Sequence, residues 1–303
     1  TTSFPISRTM TAKLLGFDEI LENSIDAVGS RDFIIETQAA LALLSVNLSR
    51  LAEDFIIWSS PEFGTIELPD EFTSTSSIMP QKKNPEVLEV IRARASYALG
   101  DFVASIAIIK SLPTTYNLDF QEITPRLWAS TDNLSTSLSI LTKLIPDIKL
   151  SNNIESKATA NFVGATELAN MLVQKYNIAF RTSHKVVGAL VRALIDSNKT
   201  LLDTSPEFLQ KVAMDSAGIK VFVKKQDLFE CTNPRKLVET YKVLGGPSPK
   251  EVHRAIESKN KIIANMQLNI KELRQNLENA KFELNEIIKN YILSKNDKLK
   301  NPN

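Results

Sequence analysis

Residues 26–59 read DAVGSRDFIIETQAALALLSVNLSRLAEDFIIWS. Gly29 is the only glycine in this run, and no proline interrupts it. Phe33, Ile34, Ile35, Ala39, Ala40, Leu43, Leu44, Leu48, Leu51, Phe55 and Ile56 crowd it with apolar side chains. A run without breakers predicts a long helix. Apolar residues around most of its circumference predict a helix buried inside a bundle.

The same signature recurs on either side of one break. Pro61, Gly64, Pro69, Pro80 and Pro85 punctuate a Ser/Thr-rich loop over residues 60–85. A second long helix is expected from Glu86 to about Leu112, where Pro113 stops it. A third is expected from Arg126 to Leu144. From Asn152 onward the helical segments shorten, to 152–161, 165–176, 180–196, 205–214 and 232–242. Ser205 before Pro206 and Asn233 before Pro234 read as caps followed by proline in the first helical turn. The expected fold is all-α. Residues 1–150 form part of a central helical bundle, 151–248 a small helical C-terminal domain, and 249–303 a long helix with a disordered tail from Asn296.

That last helix has its own pattern. Met266, Ile270, Leu273, Leu277, Ala280, Leu284, Ile287 and Tyr291 are spaced alternately by four and three residues. This heptad seam either packs on the chain's own body or pairs with another subunit.

Composition excludes several classes. The 303 residues are 43% hydrophobic and 23% charged, with a net charge of +1. No overall positive field is available for a nucleic acid backbone. With Cys231 as the one cysteine, neither an internal disulfide nor a cysteine metal site is expected. No run of about 18 apolar residues predicts a membrane span. A cytoplasmic protein without metal or cofactor is expected. The opening Thr1-Thr2-Ser3-Phe4-Pro5 reads as a cut end with an N-terminal part missing upstream.

The chemistry concentrates in residues 73–85, Thr73-Ser74-Thr75-Ser76-Ser77-Ile78-Met79-Pro80-Gln81-Lys82-Lys83-Asn84-Pro85. By residue type alone this is a loop of hydroxyls, two lysines and an amide between two long helices. Such a loop is either a solvated connection or a mobile cover that binds a carboxylate-rich ligand.

The stretch resembles the signature loop of the fumarase/aspartase superfamily, G-S-S-x-M-P-x-K-x-N-P. Gln81-Lys82-Lys83-Asn84-Pro85 resembles the argininosuccinate lyase form of it, whereas adenylosuccinate lyases tend to carry an aromatic-Lys-Arg form. Asn23-Ser24-Ile25-Asp26-Ala27-Val28, Ser30-Arg31-Asp32-Phe33, Leu48-Ser49-Arg50-Leu51-Ala52-Glu53-Asp54, Tyr116-Asn117 and Gln121-Glu122 agree in order. The resemblance covers roughly residues 1–255.

It implies a homotetramer with active sites shared between subunits, cleaving the small-molecule substrate argininosuccinate to arginine and fumarate in the last step of arginine biosynthesis. The implied roles are Ser76 as general base, Lys82 as the cation facing the aci-carboxylate, and Glu89 as partner of a proton-donating histidine. Ser77, Asn84, Tyr116 and Gln121 would bind substrate. The histidine's Thr-His-x-Gln motif is absent, and neither His184 nor His253 takes its place. This chain alone is therefore expected to be inactive without the missing segment.

Two departures stand out. Thr75 replaces the motif's glycine, and Thr124 replaces a lysine whose charge Arg126 would supply. The alternatives are another superfamily lyase, such as adenylosuccinate lyase, or a catalytically silent crystallin-like relative. Arg31 and Asp32 are expected to form a structural ion pair, and Asn23 either caps a helix or reaches the site.

Overall fold

The apolar run of residues 26–59 folds as two helices rather than one. A computed structural model describes residues 2–76, 78–79 and 83–300, with side chains through Leu293. Helix α1 is Arg8–Leu15, α2 is Ser24–Gly29 and α3 is Asp32–Ser59. The Asn23 side chain accepts from the Ile25 and Asp26 amides and so caps α2. Arg31 interrupts the helical path, and no ion pair joins it to Asp32. Its guanidinium instead donates to the Val28 and Ser30 carbonyls and lies 4.4 Å above the Phe120 ring. Asp32 sits in the first turn of α3, where a carboxylate is favoured by the helix dipole.

Helix α4, Glu86–Ile109, and helix α5, Thr124–Asp147, complete a three-helix body with α3. Ala52, Leu88, Ile91, Leu141 and Leu144 form its core, with Ile66 and Leu68 from the intervening loop. Arg92 and Glu53 are ion-paired across α4 and α3. The three helices do not cover every apolar face that the sequence presents. Phe33, Leu43, Tyr97, Val103 and Trp128 stand largely exposed.

These helices belong to a first compact unit, residues 1–149 together with 265–303. The second unit is residues 150–264. It contains α6 (Ile154–Ala160), α7 (Ala165–Tyr176), α8 (Phe180–Asp196), α9 (Pro206–Ala217), α10 (Lys225–Thr232) and α11 (Pro234–Thr240). Leu168, Leu172, Val186, Leu190, Leu194, Leu209 and Ala213 are its buried centre. Gly164 lets two segments of this unit touch. A β-carbon there would fall inside the van der Waals envelope of the Cys231 carbonyl oxygen. Backbone on both sides leaves little room to yield, so Gly164→Ala is expected to destabilise this unit by about 2–4 kcal/mol. Thermal unfolding followed by circular dichroism checks this, and an unchanged Tm contradicts it.

Helix α12, Pro249–Lys300, runs on into the stretch expected as a disordered tail from Asn296. No proline or glycine follows Pro249 until Pro302, so nothing in the sequence stops it earlier. Residues 301–303 of the expected tail lie outside the described residues. Near its C-terminal end the heptad seam meets α1 of the same unit. Gly16, with φ of 79°, ends α1 against Leu277 and Ala280, and Lys13 pairs with Glu283 at 2.9 Å. Residues 256–279 of the seam helix are exposed throughout.

Candidate active site

The loop of residues 73–85 stands on a short antiparallel stem. Strand β1, Ser74–Thr75, pairs with strand β2, Lys83–Asn84, in the register Ser74 to Asn84 and Thr75 to Lys83. Thr75 is therefore extended and has no positive φ. The motif's glycine is replaced at a position where threonine suits the backbone, and no strain follows. Pro85 precedes the first turn of α4, and its carbonyl accepts from the Glu89 amide at 3.1 Å. This fixes exposed Glu89 just beyond the stem.

Ser76 leaves the stem half-buried, and its Oγ accepts from two backbone amides, Ile78 at 3.3 Å and Met79 at 3.2 Å. Two N–H groups aimed at one oxygen favour negative charge on it. Ser77 and Lys82 lie outside the described residues, as do Pro80 and Gln81. Asn84 is half-buried at the other side of the stem.

The second lysine has a different surrounding from a free substrate-binding cation. Lys83 Nζ lies 2.5 Å from Asp70 Oδ1 and 3.5 Å from Glu67 Oε1. Its hydrogen bond to Asp70 raises its pKa, and the same bond with the lysine charge lowers that of Asp70. The depressed Asp70 value means that the clasp is present at neutral pH and fades as acid protonates the carboxylate below the usual range. The raised Lys83 value means that it also fades as pH climbs past the usual lysine range. All three groups are well exposed, so salt weakens the clasp. Asp70→Asn is expected to speed amide exchange in the stem and to reduce its salt sensitivity to what the Glu67 pair contributes. Exchange unchanged by the substitution contradicts this.

A second polar cluster follows α4. Gln121 Nε2 donates to Tyr116 Oη at 3.1 Å, and the Tyr116 ring meets Phe120 edge-on at 6.1 Å. Thr115 before it has φ of 81°, a strained conformation for threonine. Its backbone passes so close to Gly29 that a β-carbon there would lie 3.0 Å from Thr115 N and O. Beside this turn is a cleft of about 480 Å³ whose walls include Leu21, Asp26, Arg31, Pro113 and Phe120. Arg126 is not a free charge replacing the lysine absent at Thr124, because its Nη1 bonds Asp101 Oδ1 at 3.3 Å.

The geometry brings some expected site residues together and separates others. Ser76, Asn84 and Glu89 share the end of α4 where Pro85 enters. Tyr116 and Gln121 lie beyond its other end. Helix α4 has 24 residues, about 36 Å at 1.5 Å per residue. One small molecule cannot touch both clusters of a single chain.

Elsewhere, Cys231 is buried, and burial pushes its thiol up to about 12. His253 is engaged by the Pro249 carbonyl at 2.6 Å. Among the described residues there is no His/Cys/Asp/Glu group suited to a metal ion, and no helix is long and apolar enough to cross a membrane. Sequence reasoning missed the Lys83 clasp, although Glu67 and Asp70 lie only 16 and 13 residues before it.

Comparison with known proteins converges on one family. The family described as Lyase matches residues 2–100, and that described as Argininosuccinate lyase C-terminal matches residues 162–239. The argininosuccinate lyase of Methanococcus aeolicus is 44% identical over 297 residues, covering 97% of this chain and 58% of its own length. That of Methanothermobacter thermautotrophicus is 42% identical, covering 87% of this chain and 56% of its own length. The chain thus spans a little over half the length of these relatives. A solved variant of EDDS lyase with bound fumarate superimposes with a TM-score of 0.90 at 28% identity, over 97% of this chain and 59% of that one. The signature loop, the helical architecture and these matches agree, and the chain belongs to the argininosuccinate lyase family of the fumarase/aspartase superfamily.

Proposed function

We propose that this chain supplies the loop-bearing part of an argininosuccinate lyase. The reaction is β-elimination of argininosuccinate to arginine and fumarate, the last step of arginine biosynthesis, in a cytoplasmic homotetramer. The observation that carries the reading is the pair of backbone amides on Ser76 Oγ. A serine is a base only as its alkoxide, and two donors favour that charge.

In this reading Ser76 takes the proton from the carbon beside a substrate carboxylate. The electron pair moves into that carboxylate, giving an aci-carboxylate dianion that the Lys82 ammonium faces. Ser77 and Asn84 donate to the same carboxylate. The C–N bond then breaks, the double bond of fumarate forms, and the leaving guanidino nitrogen takes a proton. Glu89 orients the histidine that donates it, which comes from the portion of the relatives this chain does not span. Most of the barrier is lowered by charge placed ahead of the reaction. The fumarate bound to the EDDS lyase variant, a structure of the same fold, supports a dicarboxylate product.

The two clusters at opposite ends of α4 lead to the shared site. Tyr116 and Gln121 of one copy meet the Ser76 loop of another, and the exposed Phe33, Leu43, Tyr97 and Val103 are the apolar surface available to such copies. Mixed assemblies test this arrangement. Ser76→Ala and Tyr116→Ala assemblies, each completed with the portion of the relatives that this chain does not span and each inactive by itself, are expected to regain activity after joint refolding, because some sites receive both native residues. Mixed assemblies that stay inactive would place each site within one chain.

A further inference from the structure

Inside the three-helix body is a polar cluster that the lyase reading leaves unused. Gln38 on α3 is 1% exposed, and neither its amide nitrogen nor its oxygen has a hydrogen-bond partner among the described residues. The same holds for Ser105 Oγ on α4, 0% exposed, and for Nε of Arg126 on α5. The three side chains come from three different helices.

The helix registers bring them to one level. Helices α3 and α4 run antiparallel, with Glu53 against Arg92 and with Ser45 and Ala98 lining one small internal cavity. Seven residues back along α3 from Ser45 is Gln38, and seven forward along α4 from Ala98 is Ser105. Seven residues is about two turns, so both stay on their inward faces. Helix α5 is also antiparallel to α4, since Leu88 and Ile91 early in α4 pack with Leu141 and Leu144 late in α5, while further along α4 Asp101 accepts from Ser130 through Oδ2 at 2.9 Å and from Arg126 through Oδ1. One turn forward from Asp101 and one turn back from Ser130 reach Ser105 and Arg126.

A buried amide left unpaired is costly, and so are the hydroxyl and the guanidinium N–H beside it. No direct bond joins the three groups. Whatever satisfies them must therefore sit between them, both donate and accept, and fit a close-packed interior. It must also be neutral, because Asp101 already matches the Arg126 charge. The same interface contains a cavity of about 10 Å³ to which Ser45, Ser130 and Ser137 contribute beside Leu48, Ile91 and Leu134, close to the room that one water needs.

We infer that the level of Gln38, Ser105 and Arg126 is an internal water site, in which bound water bridges α3, α4 and α5 and fixes their register. A crystal structure of the 303-residue chain at a resolution that shows ordered water tests it directly. Water is expected within hydrogen-bond distance of Gln38 and of Ser105 or Arg126. Direct protein partners for all three groups, or a dry contact, would overturn the inference. In solution, Gln38→Leu and Ser105→Ala are each expected to lower the Tm by about 2–4 °C. The double variant should fall by less than the sum, because both changes release the same water. Strict additivity, or a Tm raised by Gln38→Leu alone, would speak against a bridge.

Discussion

In the assembly of this chain with the portion of its relatives that it does not span, Ser76→Ala is expected to reduce fumarate production from argininosuccinate by about a thousandfold or more, with the fold unchanged. General-base catalysis contributes about 10²–10⁴-fold in rate, and a methyl group has no lone pair to take a proton. The Ile78 and Met79 amides lose their shared acceptor but remain at the loop surface, where water replaces it. The loss should therefore appear in kcat rather than in KM, since the proton is in motion only in the transition state. Loss confined to KM would make Ser76 a binding group. Activity within tenfold of the native enzyme would remove it from the chemistry altogether.

The second large effect separates two adjacent lysines. Lys82→Met is expected to lower kcat by about 10²–10³-fold, the usual loss when one donor is withdrawn from a developing anion. Lys83→Met should leave kcat within about tenfold, because Asp70 and Glu67 already hold the Lys83 ammonium. Its consequence is a looser stem, read as faster amide exchange. Equal losses for both lysines would contradict this division of labour, and the measurement is a steady-state comparison of the two variants at one pH and ionic strength.

Much of the architecture was legible before any coordinate. Residues 165–176 and 180–196 carry apolar residues at helical spacing between clear breaks, and helices fill those limits. Pro85 and Pro113 bracket α4 as their chemistry requires. Since the loop precedes Pro85 and Tyr116 follows Pro113, the separation of the two clusters follows from helix length alone. The break at Arg31 was not legible, and the guanidinium there lies over Phe120, a ring nearly ninety residues away in sequence. The stem of the loop was hidden for a similar reason, as Ser, Lys and Asn carry no strong strand signal and the two-residue strands pair only across the loop. The seam of α12 was visible as a heptad, but its meeting with Gly16 depends on a glycine more than 260 residues upstream. The roles of Ser76 and Lys82 came from the family's motif rather than from composition. The amides on Ser76 Oγ then added a physical reason for charge at that atom.

The central claim is that this chain carries the base and the cation of argininosuccinate cleavage. The most direct test assays fumarate and arginine from argininosuccinate, using this chain alone and co-expressed with the portion of the Methanococcus aeolicus relative that it does not span. The account predicts equal amounts of both products from the joint assembly, none from this chain alone, and no cleavage of adenylosuccinate. A joint assembly that forms but releases no fumarate would contradict it, as would release from adenylosuccinate in place of argininosuccinate.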